Sequence, residues 1–289
     1  MKILVTGARG QLGSELALLS KSLPYAFKFV DSQQLDIVRT EAVQTFFNEN
    51  RFDYCINAAA YTAVDNSEKE KLSAFEVNVK GTTNLAKACA DNNVKFIHIS
   101  TDFVFDGKNC TPYNEEDPTS PLSVYGTTKL QSENVALGNN PQTIVLRTAW
   151  LYSSFGNNFL KTILRVAREK GKLSVVYDQV GTPTYAEDLA NAIFSVIEHI
   201  EQTNNPEKLW GIYHFSNEGV ASWYDFASAI LEITQTPANL TPILSHEYPT
   251  LAERPSFSVL DKSKIKRTFG IKIPHWRESL VKCLSEHSF

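Results

Sequence analysis

The chain has 289 residues, of which 43% are hydrophobic and 21% charged, and a formal net charge of −4. That balance fits a folded chain of one or two domains and excludes a disordered, collagen-like or coiled-coil chain. The slight acidic excess offers no basic face for nucleic acid, and no apolar run reaches the roughly 18–20 residues of a membrane span.

The start, MKILVTGARG, is too short an apolar run for a signal peptide. Residues 2–6 (KILVT) read as a buried strand, because they are branched, apolar and end at Gly7. Gly7, Gly10 and Gly13 follow in a G-x-x-G-x-x-G spacing that opens a helix over 13–23. A plain strand-to-helix turn has similar composition. In this position, however, glycines permit a tight turn, close approach of a pyrophosphate and close helix–strand packing. The helix N-terminus then supplies free N–H groups and partial positive charge.

A second strand is expected over 27–31, ending at Asp31. A carboxylate there accepts hydrogen bonds from ribose hydroxyls and repels a 2′-phosphate, which favours NADH. Arg9 inside the glycine loop has the opposite tendency, since it suits a 2′-phosphate or simply solvent. The cofactor expectation is therefore NADPH or NADH. Strands over 53–57, 96–101 and 143–148 alternate with helices over 40–49, 73–91 and 124–137. Strands spaced by helices imply an α/β fold, a doubly wound parallel sheet of Rossmann type. Residues 1–150 read as the dinucleotide-binding core. Residues 151–289 read as mainly a smaller C-terminal substrate-binding lobe, with some segments returning to the core. Helices are expected there over 157–169, 187–199 and 223–233, and strands over 173–177 and 211–215.

Tyr125 and Lys129 share one face of the helix over 124–137. A phenol titrates near 10, and a neighbouring ammonium is expected to lower that value. The strand over 96–101 delivers Ser100 and Thr101 to the carboxyl edge of the sheet, where open α/β folds bind ligands. A hydroxyl there can polarise a carbonyl, or merely cap the strand. His98, between apolar neighbours, reads as an interior residue. Trp223 and Tyr224 read as anchors of the lobe. The six histidines show no metal-ligand spacing. Cys55, Cys89, Cys110 and Cys283 form no C-x-x-C pair, so a reducing compartment, the cytoplasm, is expected.

Longer strings go further. TGARGQLG (6–13), NAAAYTAVD (57–65), STDFVFDG (100–107), PLSVYGTTKL (121–130), RTAWLY (147–152), DQVGTPT (178–184) and ERP (253–255) together resemble the extended short-chain dehydrogenase/reductases. Within that superfamily they resemble the dTDP-4-dehydrorhamnose reductases. The resemblance covers nearly the whole chain. It implies Tyr125 as proton donor, Lys129 as its electrostatic partner and Thr101 as the carbonyl-polarising hydroxyl. Gly10, Gln11 and Leu12 would line the pyrophosphate. Asp36 and Ile37 would meet adenine, and Ala60, Tyr61 and Thr62 would lie along the cofactor. Asp102 and Trp150 would contact a dTDP-sugar, and Arg254 is the expected cation for its diphosphate. Phe103 departs from the tyrosine that relatives often carry. Glu15 and Glu187 match positions that hold a structural Mg2+ between subunits in some relatives, implying a homodimer.

The implied reaction is reduction of the C4 ketone of a dTDP-linked 6-deoxyhexose, in making nucleotide sugars for surface polysaccharides. Two other readings remain open. One is an NAD-retaining epimerase of the same superfamily. A dehydratase is disfavoured, because Phe103 follows Thr101-Asp102 where that class carries a second acid. The other is a dinucleotide-binding regulatory subunit like that of methionine adenosyltransferase.

Overall fold

Branched apolar runs make the centre of the structure, a computed structural model whose described residues are 1–286. Along the chain come β1 (Lys2–Thr6), α1 (Gln11–Leu19), β2 (Ala26–Val30), α2 (Thr40–Glu49) and β3 (Tyr54–Asn57). Two short helices follow, α3 (Val64–Ser67) and α4 (Lys71–Phe75), then a π-helical turn (Glu76–Gly81) and α5 (Thr82–Asp91). The first half closes with β4 (Lys95–Thr101), α6 (Val124–Asn139) and β5 (Thr143–Thr148). These strands match the expected ones to within a residue at their ends.

The second half carries β6 (Leu151–Tyr152), α7 (Phe159–Lys170), β7 (Lys172–Val176), β8 (Val180–Gly181), β9 (Thr184–Tyr185) and α8 (Ala186–Gln202). It continues with β10 (Gly211–His214), β11 (Ala221–Ser222), α9 (Trp223–Ile233), β12 (Asn239–Ile243), α10 (Ser263–Phe269) and α11 (Trp276–Glu286).

The central sheet has six strands in the order β10-β5-β4-β3-β1-β2. Every neighbouring pair is parallel. All residues of β3 and β5 are buried, as expected of strands covered on both faces. On one face α1 and α8 supply Leu12, Leu16, Ile193 and Ile197 to a core that includes Ile3, Ile56 and Ile144. On the other, Val43, Phe47, Leu85 and Ala136 pack against Leu4, Cys55 and Phe96. This is the doubly wound α/β arrangement. A separate core of Leu160, Leu164, Phe226, Ile230 and Leu280 holds α7, α9 and α11 together.

Two expectations are corrected, and one strand was not anticipated. The glycine-loop helix begins at Gln11 and ends at Leu19, where a 3-10 turn over Ser20–Ser22 takes over. The helix expected over 73–91 is two α-helical pieces joined by the π-helical turn. A π turn accommodates one extra residue and re-aims the side chains on it. Residues 239–243 form a strand despite Pro242, paired only with β7 at an edge where a missing N–H is tolerated. No helix among the described residues is long and apolar enough to cross a membrane.

Candidate active site at the carboxyl edge of the sheet

The glycine loop leaves β1 and enters α1 through backbone that only glycine tolerates. Gly7 takes φ +71°, and a Cβ there would lie 2.6 Å from the carbonyl carbon and oxygen of Ala58. A Cβ on Gly13 would strike the Gly7 carbonyl and lie 2.8 Å from the Ala8 Cα. Gly10 is the N-cap and provides no capping side chain, and the first turn of α1 has no acidic residue. The first-turn N–H groups therefore present uncompensated positive potential. This chemistry fits a diphosphate with Gly10, Gln11 and Leu12 against it. Gln11 is held by its side chain, which donates to Leu151 O (3.4 Å) and accepts from Asn158 Nδ2 (2.9 Å).

Asp31 and Arg9, expected to act in opposite senses, are bound to each other. Arg9 Nε lies 2.6 Å from Asp31 Oδ2, with the arginine side chain 73% exposed and the aspartate 10%. Asp31 Oδ1 also accepts from the backbone N–H groups of Gln33 and Gln34. Beyond them, Asp36 accepts from Val38 N, and Ile37 packs against Gly81, where a Cβ would come within 2.7 Å of its Cδ1. Ala60, Tyr61 and Thr62 follow β3. Their loop is fixed by Asn78, whose Oδ1 accepts from Tyr61 N (2.8 Å) and whose Nδ2 donates to Thr128 Oγ1 (3.0 Å). Asn78 lies on the π turn, so the re-aimed helix ties the loop of Tyr61 to the helix of Tyr125. No expectation included Asn78, because the residues around it read as continuous helix.

Thr101, Tyr125 and Lys129 converge. Ser123 caps α6 by accepting from Gly126 N, and so fixes where Tyr125 leaves the first turn. Tyr125 neighbours the Thr101 hydroxyl and meets Phe103 edge-on, with ring centroids 5.6 Å apart. One turn on, Lys129 is 2% exposed and donates from Nζ to Ile99 O at 2.6 Å. Burial pushes Lys129 down to about 8, against the pull of the Glu133 carboxylate. The expected lowering of the phenol by Lys129 is corrected. Burial pushes Tyr125 up to about 12, with the Asp102 charge acting in the same direction. The Lys129 ammonium is directed at Ile99 O, and desolvation of the phenolate dominates.

Thr101 Oγ1 donates to Asp102 Oδ1 (3.0 Å) and accepts from Phe103 N (3.2 Å). Asp102 is 2% exposed, and burial pushes its carboxyl up to about 6 against hydrogen bonds from Ser258 and Thr101. Trp150 follows β5 with φ +46°, a left-handed conformation rare for a bulky side chain. It stacks flat on Trp223, centroids 3.5 Å apart and planes 5° from parallel, over Gly181. Phe159 also contacts Trp223, at 4.6 Å. Trp223 thus anchors Trp150. Arg254 does not project alone. Its guanidinium forks onto Asp65, Nη2 to Oδ2 at 2.7 Å and Nη1 to Oδ1 at 3.3 Å.

Glu15 is buried and accepts from Ser153 Oγ at 2.6 Å, while Glu187 accepts from Lys282 Nζ at 2.9 Å. Among the described residues no group of three or more His, Cys, Asp or Glu side chains could hold a metal ion. His98 is interior: Nδ1 meets Asn57 Nδ2 (3.1 Å), Nε2 meets Ser132 Oγ (2.8 Å), and burial keeps it neutral.

Comparison with known proteins accords with this geometry. A family model described as RmlD substrate binding domain matches residues 1–289. The dTDP-4-dehydrorhamnose reductase of Aggregatibacter actinomycetemcomitans is 41% identical over 286 residues, covering 96% of this chain and 97% of that one. A crystal structure of a dTDP-4-dehydrorhamnose reductase from Clostridium acetobutylicum superposes with a TM-score of 0.94 at 41% identity, covering 99% of each chain. Another, from Bacillus anthracis in complex with NADP, gives 0.92 at 34% identity, again covering 99% of each.

Proposed function

The chain belongs to the RmlD substrate binding domain family, and we propose that it reduces the C4 ketone of dTDP-4-dehydro-6-deoxy-L-mannose to dTDP-L-rhamnose, using NADPH or NADH. The observation that carries this is the convergence of Thr101, Tyr125 and Lys129 beside a glycine loop suited to a diphosphate.

When bound, the reduced nicotinamide supplies a hydride to C4. The chain's own residues handle the oxygen. As the C4–H bond forms and the carbonyl π bond breaks, Tyr125 gives its phenolic proton to that oxygen. A phenol held near 12 is fully protonated at neutral pH, so the acid is always loaded. Charged Lys129 offsets the phenolate left behind, and solvent returns the proton. Thr101 has its proton on Asp102 at rest, and turns it to the substrate oxygen where negative charge develops.

The first 150 residues then serve the dinucleotide, and the later lobe serves mainly the sugar nucleotide. The stacked Trp150–Trp223 pair offers an apolar wall for thymine or sugar. Arg254 can meet the diphosphate while Asp65 orients it. The reading needs no metal. A magnesium-bridged homodimer through Glu15 and Glu187 would first have to displace Lys282, and chelator-independent elution in size-exclusion chromatography would count against it. Four free thiols accord with the cytoplasm.

The test is to follow NADPH and NADH absorbance with freshly generated dTDP-4-keto-L-rhamnose. Stoichiometric oxidation and dTDP-L-rhamnose as product are expected. An epimerase or a regulatory subunit would bind the dinucleotide without consuming it, and that outcome would overturn the proposal.

A further inference from the structure

We propose that Glu133 is a positioning residue: clamped between Arg147 and Ser100, it keeps the Lys129 ammonium charged and directed at the carboxyl edge of the sheet. The inference rests on the reading above only for its activity arm.

Tyr125, Lys129 and Glu133 succeed one another at four-residue spacing along one face of α6. Three consecutive residues of β4 meet them. Ile99 O takes the Lys129 ammonium at 2.6 Å, Ser100 Oγ donates to Glu133 Oε1 at 2.5 Å, and Thr101 reaches Tyr125. From β5, Arg147 closes a two-point fork on Glu133, Nε to Oε1 at 2.9 Å and Nη2 to Oε2 at 2.7 Å. Both side chains are almost fully withdrawn from water, at 3% and 1% exposure.

A buried ion pair is a poor source of net stability, and apolar replacements are often as stable. Its placement is better explained by what lies one turn away. The ammonium of Lys129 is itself buried, and burial favours losing its proton. Among the groups facing it, Glu133 is the one whose charge favours keeping it. His98 on β4 is held neutral, and Asp102, just past the carboxyl end of that strand and three residues beyond Ile99, takes the Thr101 hydroxyl. Arg147 on β5 is turned to Glu133, and His214 of β10 behind it is held neutral at about 3. The π turn and α5 face α6 with Asn78, while Lys80 and Lys87 are exposed. Glu68 accepts from Val124 N at the start of α6.

The direct readout is the titration midpoint of Lys129. It can be followed by NMR of the protein with 13Cε-labelled lysine, the resonance assigned by its loss in Lys129→Arg. Glu133→Gln is expected to lower the midpoint by about one pH unit. Because this variant strands a buried arginine, the neutral double variant Glu133→Gln/Arg147→Met is the control that keeps the fold. Its midpoint is also expected to fall. The alkaline limb of kcat/KM for ketone reduction should move by the same amount, with little change in KM. A midpoint in the folded double variant within about 0.3 pH unit of the parent would overturn the proposal and leave the pair purely structural. If the parent reduces no ketosugar, the function reading fails, while the midpoints still decide this inference.

Discussion

Lys129 rests its ammonium on the carbonyl oxygen of Ile99, two residues before Thr101 on the same strand. The lysine is thereby tied to the strand that carries Thr101, the hydroxyl proposed to polarise the carbonyl. Burial holds its titration down to about 8, so the charged form prevails below that pH and the neutral form above it. Activity should therefore fall as pH rises through about 8. A pH profile of kcat/KM reads this, and Lys129→Met should both depress the profile and remove the alkaline limb. A limb left unchanged in that variant would belong to another group.

Tyr125→Phe removes one hydroxyl and leaves the ring packed edge-on against Phe103. Positioned acid catalysis is worth roughly 10²–10⁴-fold, so kcat should drop within that range. Dinucleotide affinity, measured by fluorescence titration, should change less than about threefold, because the phosphates are proposed to lie at the glycine loop, away from this hydroxyl. Near-normal turnover would remove Tyr125 from the chemistry.

Asp102 is buried beside Thr101. Its carboxyl is held up to about 6 by burial, above the ordinary aspartate value. The folded state thus binds a proton more tightly than the unfolded one. The stability tied to that protonation is full at low pH and is lost as pH rises through about 6. Asp102→Asn should accordingly stabilise the protein at pH 7.5, by on the order of 2–3 kcal/mol at most, and hardly at all at pH 4. Thermal melts at the two pH values test this. Turnover should fall, since the partner that orients Thr101 has changed.

The Arg9–Asp31 ion pair is expected to bear on the choice of cofactor. In the pair, the arginine is oriented by a carboxylate that is also held by two backbone N–H groups. Arg9→Ala should raise KM for NADPH about tenfold, the loss of one charge-assisted contact to a 2′-phosphate, and leave KM for NADH nearly unchanged. Steady-state kinetics with both dinucleotides would show it. Equal effects on the two would mean that Arg9 meets solvent or the shared diphosphate.

The parallel core was legible because β1, β3, β4 and β5 are short branched runs that end at turn residues. The glycine loop and the Tyr125–Lys129 spacing were legible for a similar reason: both are local patterns. What escaped depends on contacts between distant segments. Asn78 sits in a stretch whose periodicity reads as unbroken helix, and only packing reveals the extra residue in the turn. Glu133 in a helix reads as a solvated charge. Its signal lay elsewhere, in Arg147 directly after the apolar Ile144-Val145-Leu146, where a buried cation requires a carboxylate. Strand β12 escaped because Pro242 argues against a strand, an objection that carries little weight at an edge. The Arg254–Asp65 fork joins residues 189 positions apart and has no local trace.

The position of β10 has a consequence for how the protein is made. It lies beside β5, and His214 closes over Arg147 while Phe215 N bonds its carbonyl oxygen. A nascent chain that has emerged only to β5 has the strand carrying Arg147 as an open border, with backbone groups that invite mispairing. Some sixty further residues must leave the ribosome before that border is sealed. Truncation near the middle of the chain would thus yield an aggregation-prone fragment with a wetted Glu133–Arg147 pair, rather than a free-standing nucleotide-binding half.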